Sequence, residues 1–264
     1  MPDQDSEQAV ITRLRAAGSV FAEDEARLLL EAADTGRDLD SLVQQRAAGV
    51  PIEHLLGWVE FAGMRLRVTP GVFVPRKRTE LLADTALHPP GRPPRTSGTV
   101  VELCCGAGAV SAALAAALDP LELHAADIDP HAVRCAATNL PARAQVHEGD
   151  LAAPLPESLR GRVDVLVANA PYVPSGAVRS MPPEAREHEP LVALDGGDDG
   201  LDVQRRVVAL APRWLAPGGD LLVEVADHQA HLLCRAVAAA GLEPEIVRSA
   251  EIEATAVVGH AAWS

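Results

Sequence analysis

From residue 99 the chain alternates strand-like and helix-like segments, and no other feature limits its possible folds so strongly. "TVVELCC" is an apolar, β-branched run, "AVSAALAAAL" a helix, "LELHAAD" a strand and "PHAVRCAATNL" a helix, with strands following at "AQVHEG" and "VDVLVAN". Further on, "LDVQRRVVALAPRWL" reads as a helix, "GDLLVEV" as a strand and "HQAHLLCRAVAAAGL" as a helix. Strands joined through helices run parallel, because each crossover returns the chain to the edge it left. The last two strands, "EPEIVRS" and "ATAVVGHA", have no helix between them, which predicts an antiparallel C-terminal edge. The expected fold is therefore α/β, a Rossmann-like doubly wound sheet.

Ahead of this alternation the pattern differs. "SEQAVITRLRAAG", "AEDEARLLLEAADTG" and "DLDSLVQQRAAG" each have a polar or acidic start and a glycine end, the signature of three short helices. In the first, Ser6 is the expected N-cap and Val10, Leu14 and Ala17 the buried face. "WVEFAGMRLRV" alternates around Ala62-Gly63 as a β-hairpin would, and "HPPGRPPRTSG" has the proline and glycine of a surface loop or linker. The expected organisation is a helical domain over 1–56, a hairpin linker over 57–75 and the α/β domain over 76–264.

Charge and cysteine usage narrow the function. A formal net charge of −14 opposes long-range attraction to a phosphate backbone, so nucleic acid is not expected as a direct partner. The four cysteines form neither a CxxC pair nor a disulfide spacing, which argues against zinc and for a reducing compartment. No metal is expected. No apolar run is long enough to span a bilayer, and the N-terminus lacks a basic region followed by an apolar one, so a cytoplasmic location without membrane attachment is expected.

"VVELCCGAGAVSAAL" places Gly106 and Gly108 between a strand and a helix, where missing side chains let a ligand approach the backbone. Asp127 ends the next strand at the distance expected of an acid that holds ribose hydroxyls. A dinucleotide fingerprint needs a third glycine where Ser111 stands, and Cys104 occupies its first position. A GxG loop preceded by the acid Glu102 suits S-adenosyl-L-methionine (AdoMet) better, since no pyrophosphate has to be cradled. Asp150 and Leu151 follow the third strand and are candidates to meet the adenine, although an ordinary turn aspartate is an equal reading of Asp150.

The fourth strand stops on "NAPY", Asn169 to Tyr172, the last being the only tyrosine of the chain. Its carboxyl end lies beside the glycine loop at the switch point where open sheets bind ligands. An amide or amine nitrogen there can donate its hydrogens to the Asn169 side-chain oxygen and the Ala170 carbonyl. That polarises a weak nucleophile and aims its lone pair, so positioning and electrostatics replace a strong base.

The order glycine loop, acid, N-x-P-Y resembles the amino-methyltransferases. The flanks "PIEHLLGWVEFAGMRLRVTPGVFVPRKRTELL" and "HEPLVALDGGDDGLDVQRRV" resemble the HemK/PrmC family of protein-(glutamine-N5) methyltransferases, from about Pro51 to Gly259. The resemblance implies a class I AdoMet-dependent methyltransferase fold with a small N-terminal helical domain that helps dock a protein substrate. It implies AdoMet over Glu102, Cys104, Cys105, Gly106, Ala107 and Gly108, its adenosine at Asp127, Ile128, Asp150 and Leu151, and the acceptor glutamine held by Asn169, Ala170, Pro171 and Tyr172. Family substrates are peptide-chain release factors, methylated at the glutamine of a Gly-Gly-Gln tip, with a few relatives acting on a ribosomal protein. The chain departs from the pattern at Cys104 and Ala170, where glycine and proline are usual, and at Lys77, Arg78 and His188. The alternatives are another protein, peptide or small-molecule nitrogen as acceptor, or a non-catalytic AdoMet-binding interaction module. The sequence leaves the oligomeric state open.

Overall fold

Four helices, not the expected three, open the chain. The computed structural model describes residues 4–263, so Met1 to Asp3 of the expected helical domain and Ser264 lie outside it. α1 (Gln4–Ala16), α2 (Ala22–Asp34) and α3 (Leu39–Ala47) are followed by α4 (Ile52–Leu56). Five residues are too few to show a helical period, which is why α4 was not legible; Gly57, left-handed at φ +83°, ends it. Because α1 already runs from Gln4, the expected N-cap position Ser6 lies within the helix. Ile11 is buried where Ala17 was expected, and Ala17 is exposed. Val10, Ile11 and Leu14 pack with residues of α2, α3 and α4 in a core of their own.

The hairpin forms as its sequence requires. β1 (Trp58–Phe61) and β2 (Met64–Arg67) pair antiparallel across Ala62 and Gly63, both left-handed, the two-residue turn whose twist matches that of the strands. Buried Val59, Phe61 and Leu66 join the core on one face of the main sheet.

A 3-10 turn over Lys77–Thr79 leads into α5 (Glu80–Leu87). The alternation then runs β3 (Gly98–Leu103), α6 (Ala109–Ala117), β4 (Leu121–Asp127), α7 (Pro130–Asn139), β5 (Gln145–Glu148) and β6 (Val163–Ala168). Two short helices, α8 (Ser175–Val178) and α9 (Pro183–His188), precede α10 (Asp202–Trp214), β7 (Leu215–Glu224), α11 (Ala230–Ala239), β8 (Glu243–Ser249) and β9 (Ala254–His260). The sheet order is β5-β4-β3-β6-β7-β9-β8, with β9 antiparallel to both neighbours and the other pairings parallel, as the alternation predicts. Apolar layers cover both faces, so the apolar residues of β3 and β6 point to both sides of the sheet.

The topology fixes where a ligand can sit. Chain order reverses at β3, which has β4 on one side and β6 on the other, so the loops after β3 and β6 open into one crevice. The register pairs Leu103 with Ala168, and Cys104 and Asn169 therefore leave the sheet as neighbours.

The proline-rich loop between α5 and β3 is on the surface but does not behave as a free linker. Arg92 and Arg95 each bond one oxygen of buried Asp220 on β7, at 3.0 and 2.8 Å, and His260 adds a third contact at 2.8 Å. Burying a carboxylate is costly unless it is paired, and this one is paired three times over.

Candidate active site

The turn after β3 is built from left-handed residues. Cys104, Gly106 and Gly108 have φ of +55°, +54° and +75°. For cysteine this conformation costs about 1–2 kcal/mol, which the chain accepts in order to swing the backbone clear of the sheet. A Cβ on Gly106 would meet nothing within 4 Å, so the space beside that residue is open. Gly108 serves a different purpose: a Cβ there would lie 3.1 Å from that of Ala136, and its small size lets α6 approach α7.

Acids hold this turn from two sides. Buried Glu102 accepts the Ser111 amide at 2.8 Å, tying the first turn of α6 to β3, and burial raises its carboxyl to about 7. Asp127, at the tip of β4, accepts the Gly106 amide on one oxygen and the Asp129 amide on the other, each at 2.9 Å. Burial raises its carboxyl against the pull of those amides. Burial also pushes the Cys104 and Cys105 thiols far up, helped by the neighbouring carboxylates, so both are inert small hydrophobes.

The loop after β6 is oriented by contacts from distant segments. The Asn169 amide donates its Nδ2 to the hydroxyl of buried Thr79 at 3.1 Å, which leaves Oδ1 for an outside donor. The Tyr172 hydroxyl donates to Glu224 Oε1 at 3.1 Å, and Arg78 Nε reaches the same oxygen at 3.2 Å with its guanidinium 5.8 Å from the tyrosine ring. Burial, reinforced by Glu224, raises the Tyr172 hydroxyl well above its usual range.

The backbone of this loop is clamped from below by "DGGDDG". Val173 donates to Leu194 O at 3.1 Å and accepts from the Gly196 amide at 2.8 Å, while Gln229 Nε2 bonds the Tyr172 carbonyl at 3.1 Å. A Cβ on Gly196 would sit 2.7 Å from the Pro171 oxygen, and one on Gly200 would run into the Tyr172 oxygen. Both glycines are required by close approach of backbone to backbone.

These parts meet in one cleft with about 1320 Å³ of space between atoms, part of it open to solvent. Every site residue named from the sequence lines it except Gly108, which packs against α7. Ile128 is 53% exposed there, an apolar surface offered to a flat ligand, while Asp150 at the far rim is bonded to Arg206 at 2.5 Å. The open glycine backbone, the acid at the tip of β4 and the apolar shelf beside it fit a nucleoside-bearing cofactor such as AdoMet. The segment 72–79 forms the opposite wall and contributes Arg76, Arg78 and Thr79. Buried Glu189 completes that wall by accepting from Arg76 at 2.6 Å and from the Val74 amide at 3.2 Å. These wall residues, with Arg206 and Glu224, were not named as site residues. The signal for them was a cluster of cations at 76–78 in a strongly acidic chain.

The chain is similar to known proteins in keeping with this geometry. Residues 63–182 match the family model "Methyltransferase small domain". The release factor glutamine methyltransferase of Geobacter sulfurreducens is 39% identical over 192 residues, 72% of this chain and 65% of that protein. That of Moorella thermoacetica is also 39% identical, over 206 residues covering 75% and 70%. The chain thus spans about two thirds of the length of these relatives. Among solved structures, a T. thermophilus 16S rRNA N2 methyltransferase in complex with AdoMet and guanosine aligns with a TM-score of 0.55 and 22% identity, covering 77% of this chain and 49% of that one, a likeness of fold. With a crevice of this build and relatives of this identity, the chain belongs to the family of release factor glutamine methyltransferases.

Proposed function

We propose that this protein is an AdoMet-dependent N-methyltransferase that modifies the side-chain amide of a protein glutamine, with a peptide-chain release factor as acceptor. The observation that carries the reading is the orientation of Asn169. Its nitrogen bonds Thr79, its oxygen has no protein partner among the described residues, and the residue lines the cleft next to the turn at Cys104 to Gly106, which supports an oxygen available to an acceptor N–H.

The backbone of 104–106 with Asp127 and Ile128 would hold the cofactor, with Asp150 and Leu151 at its adenine end. Bound AdoMet supplies a methyl group on an electrophilic sulfonium. The chain's own task is to present the acceptor nitrogen. Asn169 Oδ1 and the Ala170 carbonyl accept its two N–H hydrogens and hold the amide plane in one orientation. Pro171 and Tyr172 keep that carbonyl in place through the "DGGDDG" clamp and the hydroxyl bond to Glu224. Two fixed acceptors aimed at a weak nucleophile act by preorganisation, which needs no reorganisation at the moment of reaction.

The relatives' name supplies the acceptor class, and the acidic charge of the chain supports a protein over a nucleic acid. Among the described residues no helix is long and apolar enough to cross a membrane, and no cluster of three or more metal-ligating side chains occurs. The test is incubation with AdoMet and a purified release factor, followed by intact-mass analysis and peptide mapping. A gain of one methyl group on a glutamine is expected. AdoMet binding with no methyl gain on any release factor or ribosomal protein would replace this reading with that of a binding module.

A further inference from the structure

Two polar groups on the wall opposite the cofactor loop have capacity that the protein does not use. Glu189 Oε1 takes both the Arg76 guanidinium and the Val74 amide, whereas Oε2 is buried with no hydrogen-bond partner among the described residues. A buried carboxylate oxygen without a donor is costly, of order 1–3 kcal/mol or more, and this side chain is only 1% exposed yet lines the cleft. Arg78 has the complementary excess. Its Nε bonds Glu224 and the guanidinium also faces the Tyr172 hydroxyl, and with five N–H donors on a 44% exposed side chain it keeps donors for a ligand at the cleft.

One short segment spaces the two groups. Glu189 is anchored at Val74 and Arg76, and Arg78 lies two residues further on, next to Thr79 and against the ring of Tyr172. Val74 to Arg78 spans at most about 13 Å, the length of three or four residues of extended main chain. An acceptor that answers both groups must offer an N–H to the carboxylate and a carbonyl to the guanidinium over that distance. A polypeptide segment offers both groups at every residue.

Resting on the function proposed above, we infer that Glu189 and Arg78 form a main-chain clamp that binds the acceptor polypeptide on either side of the methylated glutamine, Glu189 Oε2 taking a backbone N–H and Arg78 a backbone carbonyl. The clamp sets specificity for a protein loop and is distinct from Asn169 and Ala170, which hold the side-chain amide.

The test uses the full chain with a cyclic peptide carrying the glutamine loop of a release factor. A set of peptides in which single amides flanking the glutamine are replaced by esters deletes one N–H at a time. In the wild type, one ester position is expected to raise the peptide KM about tenfold. In Glu189→Gln the matching amide and ester peptides are expected to agree within about twofold, because the one remaining oxygen stays with Arg76 and the Val74 amide and an NH₂ stands where Oε2 stood. Arg78→Met is expected to raise the peptide KM about tenfold with the AdoMet KM unchanged, and Arg78→Lys to recover part of the loss. The inference is overturned if no ester position couples to Glu189. It is equally overturned if Arg78→Met lowers kcat and melting temperature with an unaltered peptide KM, the mark of a brace for Tyr172. The ester series on the wild type decides the matter even if Glu189→Gln does not fold. A wild type that methylates neither release factor nor peptide sinks the proposed function itself, whereas methylation with uncoupled variants sinks the clamp alone.

Discussion

Thr79 Oγ1 and Asn169 Nδ2 lie 3.1 Å apart although 90 residues separate them in the chain. The hydroxyl comes from the cationic segment before α5, the amide from the tip of β6. Their bond turns the amide nitrogen toward Thr79, so a residue outside the tetrapeptide helps to hold the asparagine of the tetrapeptide.

Replacing Thr79 with valine keeps the shape and removes the hydrogen-bond partner. Freed to flip, Asn169 presents its NH₂ part of the time and repels the acceptor's own N–H. Thr79→Val is expected to lower kcat about tenfold, equivalent to about one net hydrogen bond, with Thr79→Ser close to wild type. Asn169→Ala is expected to abolish turnover while calorimetric AdoMet affinity stays within a few tenths of a kcal/mol. A near-normal rate for Asn169→Ala would remove its role.

The glycines separate backbone strain from steric exclusion. Gly106→Ala faces open space and pays only for its left-handed φ, about 1–2 kcal/mol. Gly200→Ala pays that and also drives a methyl group into the Tyr172 carbonyl, so it is expected to lower the urea midpoint further and to eliminate activity. Equal midpoints for the two variants would show that the clamp gives way easily.

Asp127→Ala removes the proposed ribose acceptor and strands the Gly106 and Asp129 amides. AdoMet binding is expected to weaken by about 1–3 kcal/mol, read by calorimetry. Unchanged affinity would move the ribose elsewhere.

Stability should fall with rising pH through Glu102. Its carboxyl is raised to about 7 in the folded protein against 4.5 for an unperturbed glutamate, so the native state holds the proton more tightly than the unfolded chain does. The stability this proton confers is complete below about pH 4.5 and is lost as pH rises through 7. Glu102→Gln keeps an acceptor for the Ser111 amide and cannot titrate. Between pH 5 and pH 8 the wild type is expected to lose up to about 2–3 kcal/mol more than the variant, measured by urea denaturation. Parallel pH profiles would mean that Glu102 is ionised throughout.

The sheet was legible because its signal is local and repeated: the central strands stood out by their apolar residues, and the missing helix before "ATAVVGHA" announced the antiparallel edge. The gathering of Gly106, Asp127 and Asn169 at one cleft was legible for a related reason. Gly106, Asp127 and Asn169 each sit at the end of a strand, and strand order alone gathers them. The opposite wall was not legible, because Thr79, Glu189 and Glu224 act through contacts 52 to 115 residues away along the chain, which no spacing rule reports. The packing of Gly108 on Ala136 was not legible for the complementary reason: a glycine that admits a ligand and one that admits a neighbouring helix look the same in a string of letters. Asp150 likewise gave no sign that Arg206 would claim it.

Ala170 stands where the family pattern has the first of two prolines, yet the loop around it is pinned by Gly196, Gly200 and Gln229. Its rigidity is therefore borrowed from a neighbouring loop, and the imino ring at that position becomes dispensable. A motif search that insists on two consecutive prolines would pass over chains like this one. A search that instead paired an asparagine at a strand tip with a downstream trio of closely spaced glycines would follow the mechanical dependence itself.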